Sequence, residues 1–319
     1  MSGYLGLDTS NYTTSAAYLD DGGLVQQKCP LPVKPGELGL RQSDAVFHHT
    51  RQLPEVLEAL RPHLAGGIRA VAASDRPRQQ EGSYMPCFLT GCGAARQIAA
   101  VLGVPVHFFS HQQGHIAAVL EGSHSWELLS KPFLAFHVSG GTTDAILVEP
   151  DETEIFRCRL AATSRDLHAG QLIDRVGGML GLDFPAGPAL ERLAATSDKV
   201  YRPRPAMQGC DCHLSGVENQ CRDRLARGES PADVARFCLD SIRAALSAMT
   251  EALWREYGEM PTVYAGGVTS NGLLREHFSR EYGGRFAAPE YASDNAAGIA
   301  CLCRLAEEED RCRSFRSAN

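Results

Sequence analysis

The sequence predicts an α/β protein in which one folding unit, βββαβαβα, occurs twice. Three observations carry this expectation. First, residues 5–29, "LGLDTSNYTTSAAYLDDGGLVQQKC", lie over residues 134–158, "LAFHVSGGTTDAILVEPDETEIFRC", without a gap. Ser10 falls on Ser139, Thr13 and Thr14 on Thr142 and Thr143, and Cys29 on Cys158. Second, "SHQQGHIAAVL" from Ser110 lies over "SDNAAGIACLC" from Ser293, which sets His111 on Asp294. Third, helical and strand patterns alternate between these ends in both halves.

In the first half, short apolar runs broken by turn residues predict three antiparallel strands over 5–29. "FHHTRQLPEVLEALRPHL" is an amphipathic helix, "RAVAAS" a strand, and "GCGAARQIAAVLG" a helix. "VPVHFF" is strand-like and leads into the helix opened by Ser110. In the second half the strand pattern recurs. "VARFCLDSIRAALSAMTEALW" then puts Val234, Cys238, Ile242, Ala245 and Met249 on one helical face. "TVYAGGV" is a strand, "NGLLREHFSREYG" a helix, and a helix follows "RFAAPEY". The expected division is a first lobe over 1–125 and a second over 126–319, facing each other across a cleft. Residues 160–230 form an insertion in the second lobe.

The 319 residues, 44% hydrophobic, suit two such lobes. No apolar run is long enough to span a bilayer, and no signal peptide is legible, so no membrane association and a cytoplasmic location are expected. With 11 scattered cysteines and no zinc-type C-x-x-C spacing, reduced thiols are expected. The net charge of −7 argues against a chain that holds nucleic acid by itself. RNA binding would need a local basic patch or a partner protein.

Candidate chemistry concentrates at the ends of the repeat. His111 and His115 stand four apart, so a helix presents both imidazoles on one face. With Asp294 from the symmetry-related helix they could hold a divalent transition metal and leave positions open. The bland alternative is two polar residues in the first turns of a helix. Ser139, Gly140 and Gly141 stand at a strand-to-strand turn. Its backbone N–H groups could approach an anion, or it could be an ordinary Gly-Gly hairpin. "YAGGVTSN" is a second glycine turn, leading to Asn271, a candidate helix cap. Two such turns at corresponding lobe edges favour a nucleotide. Asp174 stands on an amphipathic helix whose Leu172, Val176 and Leu180 face inward. It reads as a solvated surface carboxylate, with a ribose contact as the alternative.

The segments "SHQQGH", "VSGGTT", "GQLIDRVGGMLGLDFPAGP", "LSG", "AGGVTSN" and "SDNAAGIA" together resemble the Kae1/TsaD family, once classed as peptidase M22, of the actin-like ATPase (ASKHA) superfold. The resemblance spans nearly the whole chain in the right order. It implies a central nucleotide cleft taking ATP or an adenylate. It implies iron or zinc held by His111, His115 and Asp294, with Mg as a further candidate. Ser139, Gly140 and Gly141 match the phosphate-side loop. Asp174, Gly187 and Asn271 match ribose and base contacts, with Gly170 nearby. Asp8, Ser10 and Thr142 are the candidate catalytic groups. The implied reaction moves a threonylcarbamoyl group from its adenylate to N6 of an adenosine in tRNA. Partner proteins of the threonylcarbamoylation complex would take part, with a homo- or heterodimer as a candidate assembly. A peptidase reading lacks support, because Gln112 follows His111 where a zincin needs Glu as base.

The sequence also departs from the family pattern. "DTSNYTT" puts Tyr12 and Thr13 where relatives carry an acidic pair, and Thr142 stands for a His. "LSGVENQ" lacks a Lys. "SDRPRQQEGSYMP" replaces a short glycine loop and brings Arg76 and Arg78, which could bind an anionic group or simply be solvated. Three alternatives stand beside the transferase reading: a paralogue with another carbamoyl acceptor, a non-catalytic nucleotide-binding partner, and a metabolite kinase on the same superfold. Retention of both His residues and Asp294 favours an active site.

Overall fold

A computed structural model describes residues 2–10, 12–32, 40–151, 154–287, 291 and 296–317, without the side chains of 309–317. Asp294 therefore lies outside the described residues. The contacts divide the chain into two compact units. One comprises residues 1–126, 150–158 and 293–319; the other comprises 127–149 and 159–292. The first break falls after Trp126. The C-terminal segment, however, clusters with the N-terminal unit rather than with the second half of the sequence.

In the first unit, β1 (Gly3–Ser10), β2 (Thr13–Asp20) and β3 (Gly23–Pro30) form the antiparallel meander expected from their alternation. Helix α1 (Gln42–Leu60) precedes β4 (Ile68–Arg76), and α2 (Phe88–Leu102) precedes β5 (Val106–Ser110). Helix α3 (His111–Gly122) follows directly. The sheet order is β3-β2-β1-β4-β5, with β4 and β5 parallel to β1. Every residue of β1 is buried, as in strands covered on both faces. Leu53, Val56 and Leu60 of α1 and Ala95 and Ala99 of α2 pack on Leu5, Leu7 and Val71. Close packing on β1 also needs Gly6, where a Cβ would stand 2.4 Å from the Ala300 backbone nitrogen.

In the second unit, β6 (Phe133–Val138), β7 (Thr143–Asp151) and β8 (Ile155–Thr163) repeat the meander. The tip of the β7–β8 hairpin belongs to the first unit. The insertion supplies α4 (Ala169–Met179), α5 (Gly187–Ala194), the hairpin β9 (Ala206–Gln208) and β10 (Asp211–His213), and α6 (Ser215–Ala226). Helix α7 (Pro231–Tyr257) buries the five residues predicted for its inner face. Then come β11 (Thr262–Ala265), α8 (Gly272–Tyr282) and β12 (Arg285–Phe286). The order β8-β7-β6-β11-β12 repeats that of the first sheet. Helix α9 (Ala297–Ser317) returns to the first unit. No helix among the described residues is long and apolar enough to cross a membrane.

Candidate active site

In the first unit, β5 passes into α3 with no loop because Ser110 caps the helix. Its Oγ accepts from the Gln113 N–H at 3.2 Å, and Gln113 Oε1 accepts from the Ser110 N–H at 2.9 Å. This capping box, S-x-x-Q, was legible in "SHQQ" but not singled out. It fixes the first turn of α3 and so the direction of His111.

The His111 and His115 rings stand edge to face, with their Nε2 atoms 2.9 Å apart. On its other side His111 Nδ1 is 2.6 Å from Asp8 Oδ2. The second Asp8 oxygen accepts from the Ser10 N–H at 2.7 Å. Asp8 was expected among the catalytic groups. It is fully buried on β1, with both carboxylate oxygens engaged by the Ser10 N–H and the His111 ring. A carboxylate on Nδ1 keeps the proton there and leaves Nε2 a lone pair, the tautomer a metal ligand needs. Ser10 Oγ is buried without a hydrogen-bond partner among the described residues.

His49 escaped the sequence reading. It is fully buried on α1, and Thr14 Oγ1 stands 2.8 Å from its Nδ1. Thr14 donates its one hydroxyl proton to Gln52 Oε1, so His49 Nδ1 is the donor in that pair. Burial lowers the His49 pKa to about 4, against the opposing pull of the Asp8 charge and the Ser10 backbone. His49 is thus a neutral ring beside the Asp8–Ser10 strand end.

Arg76 has an in-chain partner. Its Nη1 contacts both Asp75 oxygens, at 2.6 and 2.9 Å, and Nη2 lies 3.9 Å from Glu154. Burial nevertheless raises the Asp75 pKa, outweighing Arg76. The Arg78 N–H donates to Ser83 Oγ at 3.0 Å, which shapes the loop. Tyr12 is 43% exposed at the first turn.

In the second unit the β6–β7 turn is closed by the Ser139 N–H donating to the Thr142 carbonyl at 2.8 Å. The N-terminus of α4 presses on this turn. The Gly170 N–H donates to the Ser139 carbonyl at 3.1 Å, and the Ala169 N–H to Thr143 Oγ1 at 2.8 Å. A Cβ on Gly170 would stand 2.6 Å from the Gly140 backbone, so only glycine fits. Gly266, with φ +95°, makes a similar approach: a Cβ there would stand 2.3 Å from the Val138 carbonyl oxygen. The two glycine turns and the start of α4 therefore converge on the end of β6. Around Gly140, Gly141 and Gly267 the space a Cβ would take is open. That is a backbone surface an anion can approach. Asp144, not foreseen, is buried beside the turn and accepts from Thr163 Oγ1 at 2.7 Å. Its signal was an acid inside the apolar run "TTDAIL".

Asp174, Gly187 and Asn271 are joined through a short chain of contacts. Asp174 Oδ1 accepts from the Ala186 N–H at 2.9 Å, which fixes the start of α5 at Gly187. Glu191 on α5 accepts from the Gly272 N–H at 2.7 Å, and Asn271 caps α8 through the Leu274 N–H at 3.2 Å. Asp174 is thus not the freely solvated carboxylate read from the sequence. It is half-buried, and burial raises its pKa despite the Ala186 N–H.

Among the described residues no group of three His, Cys, Asp or Glu side chains is arranged to hold a metal. The His111–His115 pair does fit two positions of one ion. Nitrogens about 2.1 Å from a shared metal stand roughly 3 Å apart at right-angle coordination.

A duplicated five-strand sheet with shared topology and helix-crossed strands defines the actin-like ATPase fold. Solved structures of that fold agree. Component A of (R)-2-hydroxyglutaryl-CoA dehydratase from Acidaminococcus fermentans matches with a TM-score of 0.56 at 16% identity, over 94% of this chain and 96% of that one. Full-length HypF in its phosphate- and nucleotide-bound form matches with a TM-score of 0.60 at 12% identity, over 95% and 45%. HypF of T. kodakarensis matches with a TM-score of 0.58 at 14% identity, over 97% and 48%. The chain spans less than half the length of the HypF chains. The model of the TsaD family, tRNA N6-adenosine threonylcarbamoyltransferase, matches residues 42–301, and the chain belongs to that family.

Proposed function

We propose that the chain is a threonylcarbamoyl transferase that draws the acyl group from threonylcarbamoyl-adenylate and delivers it to N6 of an adenosine in tRNA, working in the cytoplasm with partner proteins. The observation that carries this reading is the Asp8–His111–His115 relay in a chain of this family. His111, His115 and Asp294 would hold one iron or zinc ion, which as a Lewis acid supplies polarisation of the carbamoyl oxygen. Asp8 holds His111 in the ligand tautomer. Ser10 Oγ, buried and unpartnered among the described residues, is a polar group available to a ligand.

The second unit would take the adenylate. The turn at Ser139–Thr142 offers N–H and hydroxyl donors to its phosphate, with Gly170 allowing α4 to seat against the turn. Asp174, Gly187 and Asn271 would border the ribose and base. Donors fixed before reaction stabilise the charge that grows on AMP as it leaves, without reorganising at that moment.

A second reading keeps this machinery and changes the acceptor. Exposed Tyr12, in place of an acidic residue, favours it. Incubation with synthetic threonylcarbamoyl-adenylate, tRNA and the bacterial partner proteins, followed by mass spectrometry of the digested tRNA, separates the two. Modified adenosine formed by the wild type and lost in His111→Ala supports transfer to tRNA. Product from a control family enzyme alone would defeat it and leave the altered acceptor.

A further inference from the structure

A cleft in the second unit, formed by α7, α8 and the segment before β9, holds a concentration of positive charge that the proposed chemistry does not use. It encloses about 490 Å³ and is bordered by Arg202, Arg236, Arg243 and Arg280, against the two acids Asp240 and Glu276. In a chain of net charge −7, four guanidinium groups around one cavity are unexpected. Asp240 is fully buried and holds two of them in place. Arg236 Nε donates to its Oδ2 at 3.0 Å and Arg243 Nε to its Oδ1 at 3.2 Å. The Tyr201 N–H also donates to Oδ2, at 2.9 Å, and Arg243 Nη2 donates to the Tyr201 carbonyl at 3.1 Å. Both arginines thus present Nε to the acid, and the terminal amino groups of Arg236 have no partner among the described residues. Arg202 is exposed and makes no hydrogen bond or ion pair among the described residues. Arg280 is committed to Glu281, 2.7 Å away, and contributes less. Val200, Pro203 and Leu273 give the cleft apolar walls.

We infer that this cleft binds a small organic phosphate, with its phosphoryl oxygens on Arg202 and Arg236 and its carbon body on the apolar walls. The Arg236 guanidinium, held by buried Asp240, is pre-organised for phosphoryl oxygens, so less side-chain entropy is lost there on binding, and exposed Arg202 adds a second cation at the mouth of the cleft.

The test is calorimetric titration of the full chain with phenyl phosphate, inorganic phosphate and a short single-stranded RNA. Wild type, Arg202→Ala, Arg236→Lys and Ser139→Ala are compared, with thermal unfolding as the check on folding. The expected result is saturable phenyl phosphate binding at millimolar concentration, tighter than inorganic phosphate. It should weaken by about tenfold in Arg202→Ala and Arg236→Lys and persist in Ser139→Ala. Arg202 has no partner to lose, so its variant keeps the fold. Equal binding by wild type and Arg202→Ala, or loss only in Ser139→Ala, would overturn the assignment. RNA binding that depends on Arg202 without phenyl phosphate binding would also overturn it, and would make the cleft a nucleic-acid surface.

Discussion

Gly298 on α9 lies against Gly114 on α3 so closely that a Cβ at position 298 would stand 1.8 Å from the Gly114 carbonyl oxygen. In the repeat, position 298 corresponds to His115. The first copy thus carries a ligand-type side chain where the second must carry none. The crossing packs α3, which bears the histidines, against the helix that begins three residues after Asp294.

Gly298→Ala should therefore act through packing. The clash is with backbone and cannot be relieved by a rotamer. Destabilisation at or above the usual overpacking cost of about 1–3 kcal/mol is expected in denaturant unfolding, with reduced metal content. A variant as stable as wild type would mean the two helices do not cross at this distance.

Asp8→Asn should keep the shape of the strand end and spoil the histidine tautomer. An amide N–H facing Nδ1 favours the proton on Nε2, where the metal lone pair is needed. Metal affinity should fall roughly 10–100-fold, read by competition with a chelator, while the far-UV circular dichroism stays unchanged.

His49 gives the fold an acid-sensitive point. Its pKa is lowered from 6.5 to about 4 in the folded state, so the unfolded chain binds the proton more readily. Its contribution to stability is present above pH 6.5 and lost as pH falls toward 4. In His49→Asn, whose amide can still donate to Thr14, denaturation midpoints between pH 6.5 and 4 should change less than in wild type. Parallel pH curves would remove His49 from this role.

Gly170→Ala should separate the two halves of the chemistry. The added methyl would displace the Gly140 turn, so binding of AMP in calorimetry should weaken by about tenfold or more. Metal content should stay at the wild-type level.

The βββαβαβα order was legible because period and turn chemistry are local signals, and the duplication fixed the register of the two copies. His111 and His115 could be paired from spacing alone because a helix brings i and i+4 together. Asp8 could be named but not given its role, since its partner lies 103 positions away. His49 had no local signal, being one of two adjacent histidines on an amphipathic helix, and only packing shows which is buried. Asp174 looked solvated because the return of the chain to Ala186 is a tertiary contact. The return of α9 to the first unit was likewise invisible, although the apolar run after Asp294 announced a buried helix.

The proposed chemistry depends most directly on whether the histidine pair holds a metal. Metal per chain would be measured by mass spectrometry of elements in anaerobically purified wild type, His111→Ala, His115→Ala and Asp294→Ala. The prediction is one iron or zinc per wild-type chain and loss in both histidine variants, with weakened retention in Asp294→Ala. Full metal content in His111→Ala and His115→Ala would contradict it.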